Sequence, residues 1–255
     1  MVDKDEIIRI ARKEKLPLGT IEKDFILDFI LKKIYESNLK DRLVFKGGTA
    51  LHKLYLHRRI SIDLDFTEIK PVRINELGEI IEDKEITSKI KEINKTDNSI
   101  KIVLSYVGVL RYKNNIVLDI SKREKPILKL ITKKLKSFYF EKIDVLTFQL
   151  EELIAEKIRA AIQRNKPRDY LDIYYILNRK NFDLHKAIEI AKQKLEGDND
   201  GFDIKKVFGN LDVVRNLWNY DLRGILPDIP DFGIVIKKLR EGFKYKKEIW
   251  NLKKE

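Results

Sequence analysis

Cysteine is missing altogether, methionine occurs once and histidine three times in 255 residues. With no thiol, the chain can form neither a disulfide nor a thiolate–metal site. His52, His57 and His185 make no ligand cluster and read as ordinary surface or helix positions. Long apolar runs are also lacking: nothing approaches the ~20 residues of a membrane span, and Met1-Val2-Asp3-Lys4 opens no signal peptide. The expectation is a cytoplasmic protein with no membrane partner. Scarce Cys and Met beside abundant Lys, Glu and Ile resembles a heat-adapted composition.

What is present is charge around a core. Residues are 37% charged and 43% hydrophobic, which suits one or two soluble domains. The formal net charge is +12, and an excess of Lys and Arg attracts polyanions by releasing counterions from phosphates. RNA or DNA is therefore a candidate partner, although a merely solubilising basic surface has the same composition. No zinc finger, RNA-recognition signature or internal repeat separates the two.

The chain is organised around Leu43 to Phe66, LVFKGGTALHKLYLHRRISIDLDF. A short apolar run stops at Gly47-Gly48, and a helical pattern starts at Thr49, a natural N-cap. Glycines allow close backbone approach, and amides opening a helix form an anion site, so Gly47, Gly48 and Thr49 read as a phosphate cradle. Further on, Ile60 to Phe66 alternates as a strand. Ile60, Ile62, Leu64 and Phe66 share one face, and Ser61, Asp63 and Asp65 the other. The Cα atoms of Asp63 and Asp65 should lie roughly 7 Å apart. Two like charges on one strand face repel unless a cation lies between them, and magnesium, used in pairs ~4 Å apart at phosphorus, supplies that charge. The alternative is the wet face of an edge strand with Arg58 and Arg59 as partners.

K-G-G-T-A-L followed by R-x-S-x-D-x-D-F resembles the AbiEii/AbiGii toxin family of nucleotidyltransferases, which have a DNA polymerase β-like core. Glu22-Lys23-Asp24-Phe25 resembles a further family segment, and the likeness covers most of residues 17–178. It implies an α+β nucleotidyltransferase core with a small mixed sheet at residues 1–140. A mostly helical half, 141–255, would follow and contribute Lys157 and Asp172 to the cleft. It also implies an NTP substrate with Mg2+ or Mn2+, a partner antitoxin, and an RNA acceptor such as the 3′ end of tRNA. Rival readings are nucleotidylation of a protein, or a non-catalytic basic RNA-binding protein.

Three further stretches carry site residues. Ile100–Tyr112 and Ile116–Ser121 read as strands joined at Asn114-Asn115. In the second, Asp119 lies on the polar side; beside the D-x-D strand it would complete a carboxylate triad, holding metal and orienting or deprotonating the attacking hydroxyl. Its D-x-S spelling resembles the family's second motif. From Gln149 to Arg164 an apolar helical stripe contains one misfit, Lys157, which must snorkel or meet an anion. Lys157-Ile158-Arg159 fits the family's K-x-R motif, which implies a triphosphate contact for Lys157. Arg159 lies about 200° round the helix and cannot easily serve the same phosphate, so it is a nucleotide-side, packing or acceptor-binding position. Arg168-Asp169-x-x-Asp172 matches the family's fourth motif, which makes Asp172 a functional position; otherwise it reads as a solvated helix face.

The remainder is less informative. Residues 3–15 and a stretch capped by Thr20 read as helices, 71–98 has no clear boundaries, and Lys133, Lys134 and Lys136 read as a solvated connection. Beyond Asn178 the pattern is helical around a 196–201 loop. Phe243 and Trp250 read as packing residues rather than base-stacking platforms.

Overall fold

A computed structural model of the chain describes residues 2–84, 86–179, 181–197 and 201–244; Trp250 and the centre of the 196–201 loop lie outside them. The fold is α+β and separates into two units: residues 1–149 with 224–227, and residues 150–223 with 228–255.

The first unit opens with α1 (Lys4–Glu14), capped by the Asp3 carboxylate on the Glu6 amide at 2.8 Å. Next comes α2 (Leu18–Tyr35). Thr20 does not cap α2: Pro17 holds that position, and the Thr20 hydroxyl donates instead to the Gly224 carbonyl at 2.9 Å. Strand β1 (Leu43–Lys46) runs into a short helix α3 (Gly47–Leu51), continued by a π-helical turn, His52–Leu56. Thereafter come β2 (Asp63–Glu68), α4 (Ile74–Ile81), β3 (Lys89–Lys95), β4 (Ser99–Val107), β5 (Lys113–Ser121), β6 (Ile131–Lys134) and β7 (Asp144–Thr147). They form one mixed seven-stranded sheet in the order β3-β4-β5-β2-β1-β7-β6.

Two strands depart from the sequence pattern. β2 begins at Asp63, because the Ile60 amide is taken by the Ile225 carbonyl at 2.8 Å and Ser61 precedes the ladder. The hairpin turn is not Asn114-Asn115: both residues lie in β5, opposite Tyr106 and Ser105. The turn runs through 108–112, where Gly108 lies against the Glu22 carboxylate, which accepts from the Leu110 amide at 2.6 Å. A helix residue distant in sequence therefore sets this turn.

The second unit is helical: α5 (Leu150–Gln163), α6 (Pro167–Leu177), α7 (Leu184–Gly197), a 3₁₀ turn (Ile204–Phe208), α8 (Leu211–Leu222) and α9 (Phe232–Gly242). The α5 stripe buries Leu150, Leu153, Ile154, Ile158 and Ala161 as its periodicity predicts. Trp218 packs edge-on to Phe232 and donates to the Pro230 carbonyl at 2.9 Å. Among the described residues, no helix is long and apolar enough to cross a membrane.

Candidate active site

The register of the sheet assembles the acids. β2 and β5 pair in parallel with Asp65 opposite Asp119 and Asp63 opposite Val117. Cross-strand partners share a face, so Asp63, Asp65 and Asp119 stand together, half-exposed. Their neighbours Leu64, Phe66, Leu118 and Ile120 are fully buried on the other face. Lys46 on β1 lies opposite Asp65, and Lys101 on β4 opposite Asp119. A row Lys101-Asp119-Asp65-Lys46 therefore crosses four strands, a lysine on each side of the carboxylates; Lys46 is also ion-paired with Glu124. Sequence periodicity gives the face of each strand but not its neighbour, so this bracketing was not legible beforehand.

Gly47 joins the two motifs. It sits at φ 73°, and a Cβ there would overlap the Asp65 carboxylate. Only glycine supplies both the left-handed backbone and the space. Thr49 is not the N-cap. Lys46 takes that position, while Thr49 is fully buried and donates its hydroxyl to the Asp63 carbonyl at 2.5 Å. The Gly-Gly-Thr turn is thereby tied to the acid-bearing strand at both aspartates. Ser61 is buried just before β2. Lys23, on α2, is lowered by burial, partly offset by the nearby Asp63 charge.

Alongside lies a buried ion cluster. Lys53 reaches Asp24 and Asp28 at 2.6 Å each. Burial pulls the Lys53 ammonium down, but the two carboxylates outweigh it and hold its pKa above the ordinary value. Burial pushes Asp28 up to about 7 against the opposing pull of Lys53. The spacing of Asp24 and Asp28 within the apolar stripe of α2 was the available signal for this cluster.

In the helical unit Lys157 and Asp172 do meet. The buried Lys157 Nζ lies 3.0 Å from Asp169 and 2.9 Å from Asp172, and Arg164 also binds Asp169 at 2.9 Å. Burial pushes Asp169 up, but the charges of Lys157 and Arg164 outweigh it and hold the carboxyl below its usual range. The misfit lysine is thus answered by the R-D-x-x-D acids. Arg159, half-buried, is also engaged in contacts.

Among the described residues, no group of three or more His, Asp or Glu side chains is close enough to form a metal cage by itself. The donor set nevertheless suits a hard cation: magnesium takes one or two carboxylates and completes its shell with water and substrate phosphates. Asp65 and Asp119 would provide that pair, with Asp63 two residues before Asp65 on the same strand.

A mixed sheet carrying paired aspartates beside a helix-opening Gly-Gly turn defines a nucleotidyltransferase. Three solved structures share the fold. The MenT4 nucleotidyltransferase toxin Rv2826c of Mycobacterium tuberculosis H37Rv matches at TM-score 0.76 and 17% identity, over 95% of this chain and 89% of that one. JHP933 of Helicobacter pylori matches at TM-score 0.62 and 19% identity, over 90% and 92% of the two chains. A putative nucleotidyltransferase from H. pylori matches at 0.63 and 19%, over 90% and 95%. No curated protein sequence matches. The model of the family "Nucleotidyl transferase AbiEii toxin, Type IV TA system" matches residues 30–246, and the chain belongs to that family. It is a nucleotidyltransferase toxin of a type IV toxin–antitoxin system.

Proposed function

We propose that the enzyme transfers a nucleoside monophosphate from an NTP to an RNA hydroxyl, the 3′ end of tRNA, and releases pyrophosphate. The observation that carries this reading is the register match of Asp65 with Asp119, with the Gly47 backbone pressed on the Asp65 carboxylate. Asp63, Asp65 and Asp119 would hold divalent metal, Mg2+ or Mn2+, which would supply positive charge against the transferring phosphoryl group. The Gly47 and Gly48 amides, with Thr49 and Ser61 behind them, cradle the triphosphate. Asp119 orients or deprotonates the attacking hydroxyl. Lys157 is a nucleotide-side cation whose ammonium Asp172 fixes at 2.9 Å, and Arg159 is a second. The acceptor oxygen bonds to the α-phosphorus, the bond to the β-phosphate bridge breaks, and pyrophosphate leaves with its electron pair. The chain's contribution is positioning and charge stabilisation, as this chemistry requires.

The net charge of +12 favours RNA over a protein acceptor, because a polyanion must be drawn toward an acidic face. The test is transfer of label from each α-³²P NTP to total tRNA with magnesium, beside the Asp63→Ala/Asp65→Ala variant. Label dependent on both acids is the expected result. Labelled protein without labelled RNA would overturn the acceptor, and label in neither would overturn the reaction.

A further inference from the structure

A basic concavity of the first unit lies apart from the three strand carboxylates. It is a cavity of about 460 Å³ between the N-terminal helices, the π-helical turn and the β6–β7 connection. Five permanent cations line it, Lys13, Lys53, Arg58, Arg59 and Lys136, against two acids, Glu14 and Asp24. Their arrangement is graded. Lys53 and Arg59 are buried, and Lys53 is occupied by Asp24 and Asp28. Lys13, Arg58 and Lys136 are exposed at the mouth.

The backbone that carries these cations is stitched down. His57, at φ 52°, closes the π-helical turn with its amide on the His52 carbonyl at 2.9 Å. The Arg59 amide donates to His52 Nδ1 at 3.3 Å, and the next amide, Ile60, is held by Ile225 at 2.8 Å. On the other wall the Lys136 amide donates to the Lys53 carbonyl at 3.3 Å. Arg58 and Lys136 therefore project from segments fixed to the same turn, and ordering them around an anion costs little backbone entropy. This turn also joins the Gly-Gly helix to β2, so the cavity adjoins the catalytic strand while sharing none of its acids.

Resting on the RNA-acceptor reading, we infer that this cavity is a phosphate-backbone site for the acceptor. Arg58, Lys136 and Lys13 contact phosphodiesters while Lys53 and Arg59 form its fixed floor. It answers a physical problem in the site: carboxylates repel an RNA, so the strand end must be delivered by cations that do not belong to the nucleotide cradle. Sequence alone divided these residues between a presumed solvated connection (Lys136) and partners for the aspartates (Arg58, Arg59).

The test uses the full-length protein and fluorescence anisotropy with labelled tRNA over a salt series. Arg58→Gln/Lys136→Gln is compared with Lys89→Gln/Lys91→Gln on the exposed strand β3. Loss of two phosphate contacts makes the slope of log K against log [salt] shallower by about 1.4 to 1.8, at 0.7 to 0.9 per contact. The β3 pair leaves it unchanged, and both variants melt with the parent. Equal losses from the two pairs would show diffuse attraction and overturn the site. A raised KM for NTP with unchanged RNA affinity would assign the cavity to the triphosphate and overturn it. Wild-type protein that binds tRNA, with an unaltered slope in the Arg58/Lys136 variant, sinks the site but spares the acceptor reading. Wild-type protein that binds no RNA sinks both.

Discussion

Gly47→Ala is the sharpest test of how the phosphate cradle and the acid strand depend on each other. At φ 73° an L-residue adopts a left-handed backbone at a cost of about 1–2 kcal/mol. For a chain of this size that corresponds to a fall in Tm of roughly 2–8 °C. The new methyl group also occupies the space of the Asp65 carboxylate, which must rotate or shift. A displacement of about 1 Å in a reacting constellation costs about 100-fold in rate. The assay is paired: differential scanning fluorimetry for stability and label transfer at saturating NTP for turnover. Gly19→Ala is the control, since nothing lies within 4 Å of its added methyl and it sits in the first turn of α2. That change should leave activity intact and hold or slightly raise Tm. Turnover of Gly47→Ala within threefold of the parent would refute the coupling of glycine to Asp65.

Other perturbations separate chemistry from folding. Asp65→Asn or Asp119→Asn should lower transfer by about a thousandfold, some 4 kcal/mol, with Tm unchanged or raised as like-charge repulsion is relieved; near-normal turnover in either would remove the pair from catalysis. Lys157→Met leaves Asp169 and Asp172 buried without their ammonium and should cost about 3–5 kcal/mol in urea unfolding, with Lys157→Met/Asp172→Leu recovering part of the loss. Asp169 is held below the usual carboxylate range, so its contribution is complete above the unfolded value near 4 and disappears as pH falls through the folded one. Asp169→Asn should accordingly flatten the acid limb of a Tm–pH curve. Asp28 has the opposite sign: raised to about 7 in the folded state, it makes stability fall as pH rises from about 4 to 7. Urea midpoints for Asp28→Asn should lose that slope; an unchanged profile would show that its carboxyl titrates normally.

Strand alternation in the sequence placed Asp63, Asp65 and Asp119 on polar faces, because period-2 patterning survives any tertiary context. It could not reveal that Asp65 meets Asp119, since register is a long-range property. The hairpin turn was misplaced for a related reason: Asn114-Asn115 has the local chemistry of a turn, but Glu22 on α2 fixes the reversal at Gly108 instead. β3, KIKEINK, was illegible because it is an edge strand with almost every side chain in water. The inward turn of Asp24 and Asp28 on α2 to Lys53 was not read from the sequence, because helical periodicity marks the apolar stripe and not the ion pairs buried beside it. Lys157 was found as a misfit in an apolar stripe, but its partners were visible only as a motif.

The four residues Gly224–Pro227 return to the first unit, where Gly224 accepts from Thr20 and Ile225 from Ile60, just ahead of Asp63. The order of synthesis is thus not the order of assembly. A nascent chain that has already emerged with both aspartate strands still lacks the carbonyl that pins the entry to β2, and receives it only after α5 to α8 have been made. Completion of the acid-bearing unit therefore waits for synthesis of Leu150–Arg223, the stretch that belongs to the other unit.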